Sequence, residues 1–147
     1  MRPAMTMAII LGFAASAALA HVGVKDPQVK ARMDGMKTMA ADLKKLGLMA
    51  RGVTPFDAAN ANAALLSLKT ENDRIPALFA PAATDPKSEA RPAVWTDPAG
   101  FAQRTAEMGQ ALDAMTTSSA SQIAASLRNV GAACSACHEA YRVRKTQ

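Results

Sequence analysis

Aromatic side chains are scarce in this chain of 147 residues: four Phe, one Trp and one Tyr, 4% of the total. Strands draw on aromatic and β-branched residues, so a strand-rich fold is disfavoured, while recurrent Ala and nine Met favour helix. Only two cysteines are present, enough for at most one disulfide, which excludes a disulfide-stapled scaffold. Charge is modest as well. Lys and Arg number 17 against 12 Asp and Glu, a formal +5 that is too weak and too scattered to mark a nucleic-acid binder. Beyond residue 20 no apolar run is long enough to span a membrane. What is there is a chain 50% hydrophobic, which excludes disorder as its main state and supplies the core of one ordinary domain.

The first twenty residues read as an address. Arg2 precedes an apolar run from Met7 to Leu19, and Ala18-Leu19-Ala20 fits the small-x-small pattern of a signal-peptidase site, with His21 as the mature start. A membrane anchor is the rival reading. The run falls short of the roughly 20 residues a span requires and lacks charge on its far side. The expectation is export to the periplasm, cleavage after residue 20, and a domain over 21–147 that stays off the membrane once cleaved.

Four amphipathic stretches follow. Over 26–48, Val29, Met33, Met36, Ala40 and Leu43 recur at alternating steps of four and three, one face of a helix. Asp26-Pro27 supplies a cap and a first-turn proline. Asp57 opens a second helix that runs to about residue 74 and is expected to stop at Ile75-Pro76. Four prolines make 76–97 an irregular surface crossover. Asp97-Pro98 restarts a helix whose stripe is Phe101, Thr105, Met108, Leu112 and Met115; the run from Thr116 to Ser119 breaks it and caps the next. The last helix is read over 120–145, with Ile123, Leu127, Val130, Cys134, Cys137 and Tyr141 on one seam. Four helices joined by two short connections and one long one predict an all-α, antiparallel four-helix bundle.

Cys134-Ser135-Ala136-Cys137-His138 is the attachment motif for a c-type haem. On a helix the two thiols lie about 60° apart around the axis and about 4.5 Å along it, so both reach one edge of a porphyrin. His138, four residues after Cys134, is placed to ligate the iron from the proximal face. Because the cysteines lie on the inward seam, the haem is expected inside the bundle. Other readings of the pair fare worse. A thioredoxin-like dithiol needs a βαβ setting, and no strand is visible. A zinc site lacks a fourth ligand, the other histidine being His21. A disulfide between residues three apart in one helix constrains almost nothing.

The ending from Gly131 to Arg142 resembles the class II c-type cytochromes, the cytochrome c prime and cytochrome c-556 group. So do Arg32-Met33-Asp34-Gly35-Met36-Lys37, the segment from Gly52 to Asp57, and Arg91-Pro92-Ala93-Val94-Trp95. The resemblance covers nearly all of the mature chain and implies the same bundle with the motif near its C-terminus. It also implies a choice between two kinds of protein. In one the sixth iron position is open and takes NO or CO; in the other a methionine of the first helix fills it and the protein carries electrons. The deciding position corresponds to Met36, and the Met36-Lys37 pair resembles the six-coordinate kind. Core filling is the bland alternative for Met36. Met33 and Met39 point 60–100° away around the helix and are weaker candidates.

The same resemblance places Arg32 near the haem edge, where it pairs with a propionate or stays solvated. Arg142 falls on the proximal side, restricting access to the iron or bonding near His138. Tyr141 is read as packing. Arg142, Arg144 and Lys145, with Arg128 one face away, either complement the helix dipole or steer an acidic redox partner, an effect that salt would weaken. Homodimers through the first two helices are common in that family, although no dimer patch is self-evident here. The function expected is a periplasmic monohaem electron carrier with His138 and Met36 on the iron; the alternative is a five-coordinate protein binding NO or CO. An enzyme is not expected, since a haem peroxidase or nitrite-handling protein needs a distal acid–base group and His138 is committed.

Overall fold

The structure, a computed structural model, describes residues 23–143. The 1–20 segment read above as a signal, His21, Arg144 and Lys145 lie outside the described residues. Each long helix begins where a side chain takes up amides that a first turn leaves without partners. Asp26 accepts from the Gln28 and Val29 amides at 2.8 and 2.9 Å ahead of α1 (Pro27–Ala50). Asp57 accepts from Asn60 at 2.9 Å ahead of α2 (Ala58–Phe79). After the one-turn α3 (Ala93–Thr96), Asp97 accepts from Gly100 at 3.0 Å ahead of α4 (Pro98–Asp113). Ser119 accepts from Gln122 at 3.3 Å ahead of α5 (Ala120–Tyr141). All four caps stand where the sequence puts them.

α1 packs on α2 and α5, and α4 packs on α5 and α2, which closes a ring of four long helices. Neighbours run antiparallel. Phe101 near the start of α4 meets Tyr141 at the end of α5, with ring centroids 5.2 Å apart, while Met108 further along α4 meets Cys134. Likewise Phe79, ending α2, meets Phe101 at 5.3 Å, and Lys69 pairs with Asp113 at 2.8 Å. The bundle is solid at one end and hollow at the other. Leu46, Ala61, Leu112 and Ile123, close to the short connections, are wholly buried. Each such Leu or Ile contributes about 1.5–3 kcal/mol. The opposite end encloses the cavity described below.

Two expectations are corrected. Helix α2 runs through Pro76 to Phe79 instead of stopping at Ile75. Proline removes one amide donor to the preceding turn, but the terminal carbonyls of α2 find side chains instead: Leu78 O accepts from Gln28 Nε2 at 2.7 Å and Arg32 Nε at 2.8 Å, and Phe79 O from Trp95 Nε1 at 2.7 Å. Helix α5 ends at Tyr141, not residue 145, because Arg142 turns extended to bridge Ala90. The stripe Val29, Met33, Met36, Ala40, Leu43 does form one face of α1, and all five residues line the cavity. Beside it, Arg32, Gly35, Met39, Asp42, Leu46 and Met49 are packed away from solvent, as is Val29 of the stripe, and this neighbouring row contains two charged residues. Gly35 there lets Glu71 and Leu78 of α2 approach, since a Cβ would sit 3.0 Å from the Glu71 carboxylate.

The crossover is irregular, as expected, but fastened. Asp85 Oδ2 accepts from the Lys25 amide at 2.8 Å and the Asp26 amide at 3.2 Å, while its Oδ1 accepts from Lys87 at 2.8 Å. At the other end, the Arg91 amide donates to Tyr141 O at 2.9 Å and the Val143 amide to Glu89 O at 2.8 Å. One loop thus ties the start of α1 to the end of α5.

Candidate haem site

A cavity of about 470 Å³ opens at the hollow end of the bundle, within the usual range for small-molecule and cofactor sites. Its walls are largely apolar. Met33, Met36 and Met39 come from α1, Ile75 and Phe79 from α2, Phe101 and Met108 from α4, and Ala133, Cys134, Cys137 and His138 from α5. The crossover contributes 87–90. Both cysteines are free and half-buried. Residues 134 and 137 share one face of α5, so the two thiols and the His138 ring all reach the same cavity.

The electrostatics suit ligation. Burial, then the positive charge of Arg142, pushes the His138 pKa down, opposed by Glu89. A neutral imidazole is the form that binds a metal. Burial pushes the Cys134 thiol up, and burial followed by Cys134 pushes Cys137 up. Both therefore rest as thiols, and Cys134 Sγ lies 3.8 Å from Met108 Sδ. Two thiols and one imidazole on one wall of an apolar chamber match the donor set of a c-type haem. Among the described residues no group of three or more His, Cys, Asp or Glu side chains could hold a bare metal ion.

The structure brings Met36 into this cavity with His138, along with Met33, Met39 and Met108. Arg32 also borders it, but not as a solvated side chain. It is 3% exposed, with Nε on Leu78 O at 2.8 Å, Nη1 on Ala83 O at 3.0 Å, and Nη2 on Pro81 O. Its guanidinium lies over the Phe79 and Trp95 rings, 4.9 and 5.2 Å from their centroids. Three of its five N–H groups are thus committed to backbone. Arg142 sits beside His138, donating its amide to His138 O at 3.1 Å, and its guanidinium pairs with Glu89 at 2.6 Å. Tyr141 packs against Phe101 and also donates its hydroxyl to Asp97 at 2.8 Å.

Several wall residues carry no mark in the sequence as site residues. Glu89, Lys87 and Arg104 reach the cavity because of pairings across the fold, and nothing local singles them out. Met108 is legible only as one position of the α4 stripe.

The family model described as Cytochrome C' matches residues 27–142. Cytochrome c-554 of Cereibacter sphaeroides is 35% identical over 97% of this chain and 98% of its own. Cytochrome c' of Alcaligenes xylosoxydans xylosoxydans is 32% identical over 80% of this chain and 94% of its own. Among solved structures, a ferrous variant of cytochrome c prime from Alcaligenes xylosoxidans with bound NO superposes with a TM-score of 0.72. It is 30% identical and covers 80% of this chain and 94% of its own. The chain belongs to the cytochrome c' family of monohaem electron-transfer and gas-binding proteins, and its cofactor is one covalently bound haem c.

Proposed function

We propose that this chain is an exported electron carrier whose haem is held by Cys134 and Cys137 and ligated by His138 and Met36. The observation that carries this reading is the shared cavity: Met36 on α1 and His138 on α5 line one chamber, with the two thiols beside the imidazole. Haem c supplies a one-electron couple there. The protein's own part is to hold and insulate it. Burial keeps His138 neutral for ligation. The apolar wall excludes water, which limits reorganisation when charge changes. A Met36 thioether on the iron would favour the reduced state and raise the potential. Conversion of a substrate has no part in this reading: among the described residues His138 is the only histidine on the cavity wall, and here it is the ligand.

The second reading is a five-coordinate haem open to NO or CO. It is supported by the methionine-rich, apolar wall of α1 and by the NO complex of the Alcaligenes relative. Visible spectra separate the two. The reduced protein is expected to be low-spin and unchanged by CO, and Met36→Ala to become high-spin and to bind CO. A high-spin wild type that shifts on adding CO would replace the first reading with the second.

Periplasmic residence rests on the 1–20 segment, and a redox partner with an acidic docking face rests on Arg142 and its neighbours. The ionic-strength dependence of the reaction rate tests that partner. A homodimer is a further proposal, tested by sedimentation. Among the described residues no helix is long and apolar enough to cross a membrane.

A further inference from the structure

A haem brings two carboxylates into whatever cavity receives it. A carboxylate against apolar walls is costly unless a cation or hydrogen-bond donors meet it. Five cationic side chains border this cavity, and most are already engaged. Arg32 is buried on three backbone carbonyls, to which it is tied by geometry as well as charge. Arg104 pairs with Glu107 at 2.7 Å. Arg142 is held on Glu89 by two of its nitrogens, at 2.7 and 2.6 Å.

Two lysines are left. Lys37 on α1 and Lys87 on the crossover are both exposed at the cavity's edge, and neither forms an ion pair among the described residues. The backbone under Lys87 is fixed. Its amide donates to Asp85 Oδ1 at 2.8 Å, and the next amide, Ser88, donates to Asp85 O at 2.8 Å. Asp85 is itself tied to the start of α1 through the Lys25 and Asp26 amides. A long ammonium side chain therefore stands on a rigid base at the rim of an apolar chamber.

We propose that Lys87 and Lys37 hold the two propionates of the haem, one from the crossover and one from α1, while Arg32 serves the backbone. The assignment goes beyond the choice of axial ligand and stands whether Met36 binds the iron or not. It also gives the crossover a part in setting the potential, because a cation near the haem favours the reduced state, in which the iron carries one positive charge fewer.

The test uses the full-length protein matured with its haem. Lys87→Gln and Lys37→Gln are each expected to lower the midpoint potential and to shift the propionate-bending band in the resonance Raman spectrum. The double variant should fall further, and Lys87→Arg should restore the wild-type values. Lys69→Gln, which removes a lysine paired with Asp113 away from the cavity, serves as the control for a general loss of charge. The potential shift should shrink as salt is raised, since both lysines are exposed. If either glutamine variant matches Lys69→Gln in both potential and Raman band, the assignment of that lysine is overturned. The spin-state spectrum of the same samples reads Met36 ligation separately.

Discussion

The Tyr141 hydroxyl at the end of α5 donates a 2.8 Å hydrogen bond to the Asp97 carboxylate that caps the start of α4. Two helices that line the cavity, α4 and α5, are thereby pinned at one corner. Gly100 is what lets the pair approach. A Cβ at that position would lie 2.5 Å from the Tyr141 hydroxyl and would overlap Asp97 Oδ2. Gly100→Ala is expected to push the cap and the hydroxyl apart and to cost about 1–3 kcal/mol, as overpacking generally does. Thermal unfolding of the haem-loaded variant checks this; a wild-type Tm would show that the corner yields freely.

The same corner predicts a pH profile. The Tyr141 hydroxyl first, and the Gly100 amide second, hold the Asp97 carboxyl below the usual range, and the Lys87, Lys25 and Asp26 amides do so for Asp85. A carboxyl whose folded pKa is depressed stabilises the fold in full above about pH 4 and loses that contribution as pH falls through the lowered value. Tyr141 runs the other way. Its pKa is raised, chiefly by the bond to Asp97, so its contribution is whole below about pH 10 and is lost as pH climbs through the raised value. Denaturant titrations of wild type and Asp85→Asn from pH 7 to pH 3 should converge toward acid. Parallel curves would mean that Asp85 contributes nothing through its charge.

Arg32 should not tolerate lysine. A single ammonium cannot serve three carbonyls in three directions, nor stack over both Phe79 and Trp95. Each buried acceptor left without a partner costs about 1–3 kcal/mol. Arg32→Lys is therefore expected to lower stability by roughly one such loss or more and to raise amide exchange in the crossover. An unchanged exchange pattern would rule out the clamp.

Without its haem the protein should not hold its tertiary structure. The apolar walls of a chamber of about 470 Å³ would lose the packing that the haem supplies, and a domain has only about 5–15 kcal/mol of stability to lose. A Cys134→Ala, Cys137→Ala double variant produced without haem is expected to keep helical far-UV circular dichroism and to lose its near-UV signal. A cooperative thermal transition at the wild-type Tm would contradict it.

Much of this is legible locally. Four caps, the stripe of α4, the seam of α5 and the Cys134–His138 motif are short-range patterns, and each stands where the sequence predicts it. The departures share a cause. The turn beyond Pro76 is capped by Gln28 and Arg32, far upstream, and Trp95, well downstream, which serve the carbonyls of Leu78 and Phe79. The α1 stripe reads only as one apolar face, because periodicity cannot tell a wall facing a neighbouring helix from one facing a cofactor chamber. The burial of Arg32 escapes the sequence, where one reading leaves it solvated, because its backbone partners at 78, 81 and 83 lie far along the chain. Nothing local marks Asp42 either, although it is buried, with Oδ1 on Lys45 at 2.8 Å and Oδ2 unpartnered among the described residues.

The fastened crossover makes the far corner of the molecule behave as one unit. Asp85 holds the beginning of α1, the carbonyls of 81 and 83 hold Arg32, and 89–91 hold the last turn of α5. Among the described residues the crossover is therefore not an independent flap on the chamber: loosening it would take a concerted local unfolding of the loop with both helix ends.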